Sequence, residues 1–97
     1  AMNSAGEKVD QWRGKVDDMK RQLKDKADSA TAKSKEDIEQ LQSDLQDRLK
    51  TLESKWETVQ AEGAEAWGEM QTGFAAAAEE LKQAYDRAAE ELKKESQ

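Results

Sequence analysis

The sequence predicts an all-α protein, and three observations lead to this prediction. Apolar residues recur at spacings of three and four along nearly the whole chain, which is typical of an amphipathic helix. The pattern repeats every eleven residues, and eleven residues make three helical turns at about 3.67 residues per turn. No segment alternates with a period of two, and the chain contains no proline. We therefore expect long helices and no strand.

The repeat is clearest in three successive segments, Ala64–Phe74, Ala75–Tyr85 and Asp86–Ser96. Each has Ala in its third place, Glu in its sixth, and Met or Leu in its seventh. Followed back to the N-terminus, the same frame places the large apolar side chains on one helix face, which we call the stripe. We expect the stripe to form a packing seam between helices. It consists of Trp12, Val16, Met19, Leu23, Ile38, Leu41, Leu45, Leu49, Leu52, Trp56, Val59, Trp67, Met70, Phe74, Leu81, Tyr85 and Leu92.

The helix boundaries follow from where the pattern weakens. We predict one helix over residues 7–60, a break over 61–64 and a second helix over 64–95. Gly63 would end the first helix in a left-handed cap. Residues 28–35, which are rich in Ser and Thr, are a weaker place for a break. Because the stripe passes through them without a change of phase, we expect the first helix to continue there.

The two ends of the chain are expected to lie outside the helices. We predict that residues 1–6 are disordered and that residues 96–97 are frayed. Ala1 has the character of a cloning scar, which places the native start at Met2.

These elements favour a helical hairpin or coiled-coil bundle. Two alternatives stay open: one continuous helix in an oligomeric coiled coil, and a three-helix bundle that uses both breaks. At 1.5 Å per residue the hairpin's helices would be roughly 80 and 47 Å long, so part of the first would be uncovered. An uncovered apolar face predicts a homo-oligomer. The residues left uncovered would be Val9, Trp12, Val16, Met19 and Leu23.

Composition narrows the possible functions. The net charge is −6, with the basic excess confined to the N-terminal third, so a clustered basic nucleic-acid surface is not expected. The chain has no His and no Cys, which excludes an imidazole base and a Cys or His zinc site. We predict a protein that is not an enzyme and that has no catalytic, cofactor-binding or metal-binding residue. The apolar runs are too short for a transmembrane segment, and a cytoplasmic location is the expectation.

Trp12, Trp56 and Trp67 occupy the same place in the repeat. Core packing is the favoured interpretation, since a large amphipathic ring can bury its body and leave its N–H at the rim. The alternative is a hot spot for a protein partner, or an anchor at a lipid surface. That alternative carries most weight at Trp12, whose covering helix the sequence does not identify.

The segment Gly63–Met70 with Gly73 and Phe74, together with Val9–Trp12, resembles a family of short, acidic bacterial coiled-coil proteins. Members carry a long charged helix, a Gly-Asp-Ala-Trp-Glu-x-x-x-x-Gly signature and a second amphipathic helix, and some are named as stress-response proteins. This chain has Glu65 and Gly68 where the family usually has Asp and Glu. The resemblance implies a stress-linked helical protein, and the family offers no established activity or catalytic residue to carry over.

Three functions are consistent with these features. The leading hypothesis is a non-enzymatic, self-associating coiled-coil scaffold or interaction module. A second is a surface-active protectant against desiccation, with weak lipid-surface binding, since eleven-residue repeats also resemble those of late-embryogenesis-abundant proteins and apolipoproteins. A third is an adaptor for one protein partner, with Trp12 in the docking face.

Overall fold

A computed structural model describes the backbone of residues 2–94 and the side chains of residues 4–93. Within this range the chain forms three α-helices and no strand. Helix α1 spans Met2–Asp28, α2 spans Ala32–Glu62, and α3 spans Ala64–Lys94. The prediction of an all-α helical bundle is confirmed, and of the architectures left open the structure has the three-helix bundle.

The helices run up, down and up along a rod of 50 × 18 × 16 Å. Helices α1 and α2 are antiparallel, because Arg13 pairs with Glu53 and Lys20 pairs with Gln46. Helices α2 and α3 are also antiparallel and share the most extensive of the three interfaces. Helix α1 therefore lies parallel to α3, and Trp12 meets Tyr85 across their contact.

The first turn corrects the single helix predicted over residues 7–60. The chain leaves the helix at Ser29 and re-enters it at Ala32. Thr31 caps α2: its backbone is extended (φ −68°, ψ 164°), and its hydroxyl oxygen accepts from the Ser34 amide at 3.3 Å. An unbroken stripe is compatible both with a continuous helix and with two helices that meet in phase, so it does not predict whether residues 29–31 are helical.

The N-terminus also differs from the prediction of disorder over residues 1–6. Helix α1 starts at Met2, while Ala1 lies outside the described residues. Ala5 is buried, and an added Cβ at Gly6 would lie 2.9 Å from the Trp56 ring. This close packing orders the first turns of α1. The predicted fraying at residues 96–97 lies outside the described residues, as does residue 95.

The second turn consists of Gly63 alone, at the break predicted there. Its φ of +89° is positive, as expected for a glycine cap, but its ψ of −171° is not that of the left-handed helical region. This combination is accessible almost only to glycine. The Gly63 amide donates to the Val59 carbonyl at 2.8 Å, which completes the last turn of α2.

Candidate interaction surface

The stripe forms the inside of the bundle. Among its seventeen predicted members, those fully buried or nearly so are Trp12, Val16, Met19, Leu23, Ile38, Leu45, Leu49, Leu52, Val59, Phe74 and Leu81. The half-buried members are Leu41, Trp56, Trp67, Met70, Tyr85 and Leu92. No large hydrophobic side chain is exposed among residues 4–93. The chain therefore covers its own stripe.

The uncovered N-terminal face that a two-helix hairpin would have is absent. Val9 and Leu23 are both 0% exposed and Trp12 is 8% exposed, because α1 folds back onto α2 and α3. The sequence-based reason for expecting an oligomer was this overhang. This overhang is therefore not a basis for self-association.

The structure also buries residues outside the predicted stripe. They are Ala5, Val9, Ala77, Ala78, Ala84 and Ala88. Four of them lie on α3, which packs against both other helices and so buries a wider face than a two-helix seam would. Small side chains permit this close approach. Ala in the third place of successive repeats, as at Ala77 and Ala88, was the available signal.

Aromatic rings gather at the end of the bundle that holds the Gly63 turn and the start of α1. The ring centroid of Phe74 lies 5.5 Å from that of Trp67 and 6.3 Å from that of Trp56. The tilted and edge-on geometries are those that aromatic pairs prefer. A groove of about 180 Å³ adjoins the cluster between α1 and α3. It is lined by Ser4, Ala5, Lys8, Trp67, Gln71, Phe74, Ala75 and Ala78.

Trp12 is part of the core and is not a free docking residue in the closed bundle. Its ring meets Tyr85 edge-on at 5.7 Å, and the Lys15 ammonium lies 4.9 Å from its centroid. Both contacts hold the indole at the α1–α3 boundary. The position of Trp12 in the closed bundle therefore agrees with core packing, the interpretation that the sequence favours.

Ion pairs join the helices at the rim. The Arg13 Nε lies 2.6 Å from Glu53, and the Arg48 Nη1 lies 2.8 Å from Glu80. The hydrogen bond from Arg13 to Glu53 is the main cause that raises the pKa of Arg13. The nearby charge of Asp44 is the main cause that raises the pKa of Arg48. Both arginines therefore stay charged at every pH below the ordinary arginine range, and these pairs fix register more than they stabilise.

An open acidic groove of about 680 Å³ runs between α2 and α3. Its charged lining is Asp37, Asp44, Asp47, Arg87, Glu90 and Glu91.

Within the part of the chain that the structure describes, no group of three or more acidic, His or Cys side chains is placed to hold a metal ion. Also within that part, no helix is both long and apolar enough to cross a membrane.

Comparison with known proteins adds no relative. No protein-family model, no curated protein and no solved structure matches the chain. The likeness to the acidic bacterial coiled-coil family thus rests on the segment around Trp67 and on Val9–Trp12.

Proposed function

We propose that this protein is a non-enzymatic, self-associating helical module, in which one apolar stripe holds the closed bundle together and also joins copies. The observation that carries the proposal is the phase of the repeat. The eleven-residue frame runs through both turns, so places such as that of Trp12, Leu23, Leu45, Trp56 and Trp67 stay on one line. A chain that formed only the closed bundle would not need this continuity. After each turn, the apolar positions of the next helix could start at any place in the repeat.

A scaffold role follows from this dual use of the stripe. A closed monomer with no large hydrophobic side chain exposed among residues 4–93 stays dispersed at low concentration, whereas an opened chain offers a long seam to another copy. A stress-linked role in a bacterial cell is part of the proposal, and it comes from the resemblance around Trp67.

Sedimentation equilibrium from low micromolar to millimolar protein, with far-UV circular dichroism on the same samples, tests self-association. We expect a discrete oligomer whose population rises with concentration while helicity is retained. A chain that is helical and monomeric at every concentration would contradict the proposal.

A double substitution tests the stripe as the seam. Leu45 and Leu52 are both 0% exposed, so Leu45→Asp with Leu52→Asp places two charges in the core and should remove assembly and helicity together. A double variant that stayed both assembled and helical would exclude the stripe. Lys50→Asp with Glu57→Lys, at exposed positions of the same helix, is the matched control.

A second candidate function is weak binding to a lipid surface, which the aromatic end favours. Trp67 and Met70 are half-buried there, and the Phe74 ring meets the Trp67 ring edge-on at 5.5 Å. Because the chain is already helical, a gain in helicity is not the readout. With Trp12→Phe and Trp56→Phe in place, Trp67 fluorescence should shift to the blue with phosphatidylcholine vesicles. An unchanged spectrum, together with failure to float with the vesicles, would remove this candidate.

A further inference from the structure

We infer that two copies associate by exchanging α1: each α1 packs on the α2–α3 hairpin of the other copy, and the turn at Ser29–Thr31 becomes helical. This inference rests on the proposed self-association and gives it a structure. The partner is a second copy of this chain, and the element that moves is the N-terminal helix.

The first observation is the chemistry of the turn. Its residues Ser29, Ala30 and Thr31 include neither Gly nor Pro, and none of them has a positive φ. The turn is held by two long amide–carbonyl hydrogen bonds, Ser29 to Lys26 and Ala30 to Ala27, each 3.2 Å. The Ser29 hydroxyl also donates to the Lys26 carbonyl at 3.3 Å, and Thr31 supplies the cap. Nothing in these three residues prevents a continuous helix. Short hinges of this kind favour exchange between copies.

The second observation is the phase of the stripe on each side of the turn. Spacings of three and four continue from Leu23 through Ala27, Ala30 and Ser34 to Ile38. If residues 29–31 are helical, α1 and α2 therefore become one helix with a single unbroken stripe. That helix would span residues 2–62 and be roughly 92 Å long.

The third observation is that the exchanged arrangement closes on itself. The contact pairs Gly6–Trp56, Arg13–Glu53 and Lys20–Gln46 have midpoints between Thr31 and Lys33. Two extended chains can therefore lie antiparallel about a two-fold axis at the turn and remake each pair between copies. Beside that axis the same three-and-four spacing is continued by Ala27, Ala30 and Ser34, whose small side chains let the two long helices meet. A closed two-fold dimer with the same contacts is the expected product of such exchange.

The fourth observation is that the closed bundle offers no other apolar route to a dimer. No large hydrophobic side chain is exposed among the described side chains, and two closed copies each carry a net charge of −6. Helix α1 is the element that can leave most easily, since α2 and α3 share the most extensive interface. It carries seven basic and six acidic residues, whereas α2 carries five and eight. Electrostatics therefore favours an interface between α1 of one copy and the α2–α3 hairpin of the other over an interface between two hairpins.

The test uses cysteines, because the natural chain has none. One chain carries Arg13→Cys and a second carries Glu53→Cys. The two are mixed in denaturant, refolded together at high protein concentration and treated with a short bis-maleimide. In the exchanged dimer these positions face each other between copies, so a cross-linked dimer should appear on a denaturing gel. The matched control mixes Arg48→Cys with Glu80→Cys, a pair of the same chemistry that joins α2 to α3 within one copy.

Two turn variants shift the equilibrium in opposite directions. Thr31→Ala removes the cap, which costs the closed form about fivefold per chain, so the dimer of two chains should become about 25-fold tighter. Ala32→Pro should abolish the dimer while the bundle keeps its helicity. Ala32 is the exposed first residue of α2, and Thr31 before it has the extended backbone that precedes proline.

Each outcome has a definite meaning. The exchange of α1 is supported if the 13–53 pair gives a cross-linked dimer and the 48–80 pair does not. The yield of that dimer should also rise with Thr31→Ala and vanish with Ala32→Pro. A 48–80 dimer alone overturns it in favour of exchange at Gly63. Self-association by sedimentation with neither cross-linked dimer overturns the inference while the proposed function stands. A monomer at every concentration overturns both.

Discussion

The two turns of this bundle are built on different principles. At Gly63 a single residue reverses the chain, with a backbone conformation that is almost closed to other amino acids. At Ser29–Thr31 three ordinary residues do the same, and the turn is held by the hydroxyls of Ser29 and Thr31 and by two amide–carbonyl hydrogen bonds of 3.2 Å. The Gly63 turn is therefore written into the local sequence. The Ser29–Thr31 turn exists because α1 gains a covered stripe by folding back.

This difference has consequences for the helices on either side. A turn encoded locally should keep α2 and α3 together even when the packing loosens. A turn imposed by packing should open when α1 meets an equivalent surface on another copy. In the proposed exchange, α1 is therefore the element that moves and the α2–α3 hairpin is the unit that stays together.

The largest effect should come from substitutions that leave a cavity in the core, one in α1 and one in the α2–α3 hairpin. Leu23 in α1 and Leu81 in α3 are both 0% exposed, so Leu23→Ala and Leu81→Ala should each lower the free energy of unfolding by about 2–5 kcal/mol. Urea unfolding, followed by far-UV circular dichroism and by tryptophan fluorescence, measures it. Lys24→Ala, at an exposed neighbouring position, is the control. Two separate transitions, with Leu23→Ala moving only the first, would show that α1 melts alone.

A second prediction tests whether the Gly63 turn is local. Gly63→Ala should lower the free energy of unfolding by about 1–3 kcal/mol, because an alanine is strained at this φ and ψ. An added Cβ there meets nothing within 4 Å, so the cost comes from the backbone alone. The same change at Gly68, which is exposed within α3, should instead stabilise by about 0.5–1 kcal/mol. Equal effects at the two sites would refute the distinction.

A smaller effect should separate two glycines of α1. Gly14→Ala meets nothing within 4 Å and should stabilise by about 0.5–1 kcal/mol through helix propensity. Gly6→Ala should lose that gain, because its Cβ would lie 2.9 Å from the Trp56 Cζ2 atom. Thermal unfolding compares the two variants. An equal gain at Gly6 would mean that the start of α1 does not press on the Trp56 ring.

The smallest effect should come from the ion pair that joins α1 to α2. Glu53→Gln should lower the free energy of unfolding by about half a kcal/mol, since the pair lies at the rim. In about 1 M NaCl the decrease should be smaller, because salt screens the pair. The raised pKa of Arg13 favours its charged form in the fold at every pH below the ordinary arginine range, so this contribution should persist through mildly alkaline pH. A much larger decrease in the free energy of unfolding, independent of salt, would mean that this ion pair helps to determine the turn.

Much of the inside of the molecule was readable from the sequence. Each described stripe residue, from Trp12 to Leu92, is buried or half-buried, because helical periodicity fixes which side chains share a face. The additional buried alanines, such as Ala77 and Ala88, were not predicted. Whether a small residue is inside depends on how many helices pack around it, and this number is not a local property.

The sequence by itself determined the helical class, the stripe and the chain reversal at Gly63, since periodicity and glycine's backbone freedom act within a few residues. Tertiary structure alone decided that the chain also reverses at Ser29–Thr31 and that Val9, Trp12 and Leu23 are covered by their own chain. The reason is that helix propensity and a cap of about 1 kcal/mol nearly balance at that point. Burial of an entire helix face against α2 and α3 then tips the balance, and burial is a sum over contacts far apart in sequence.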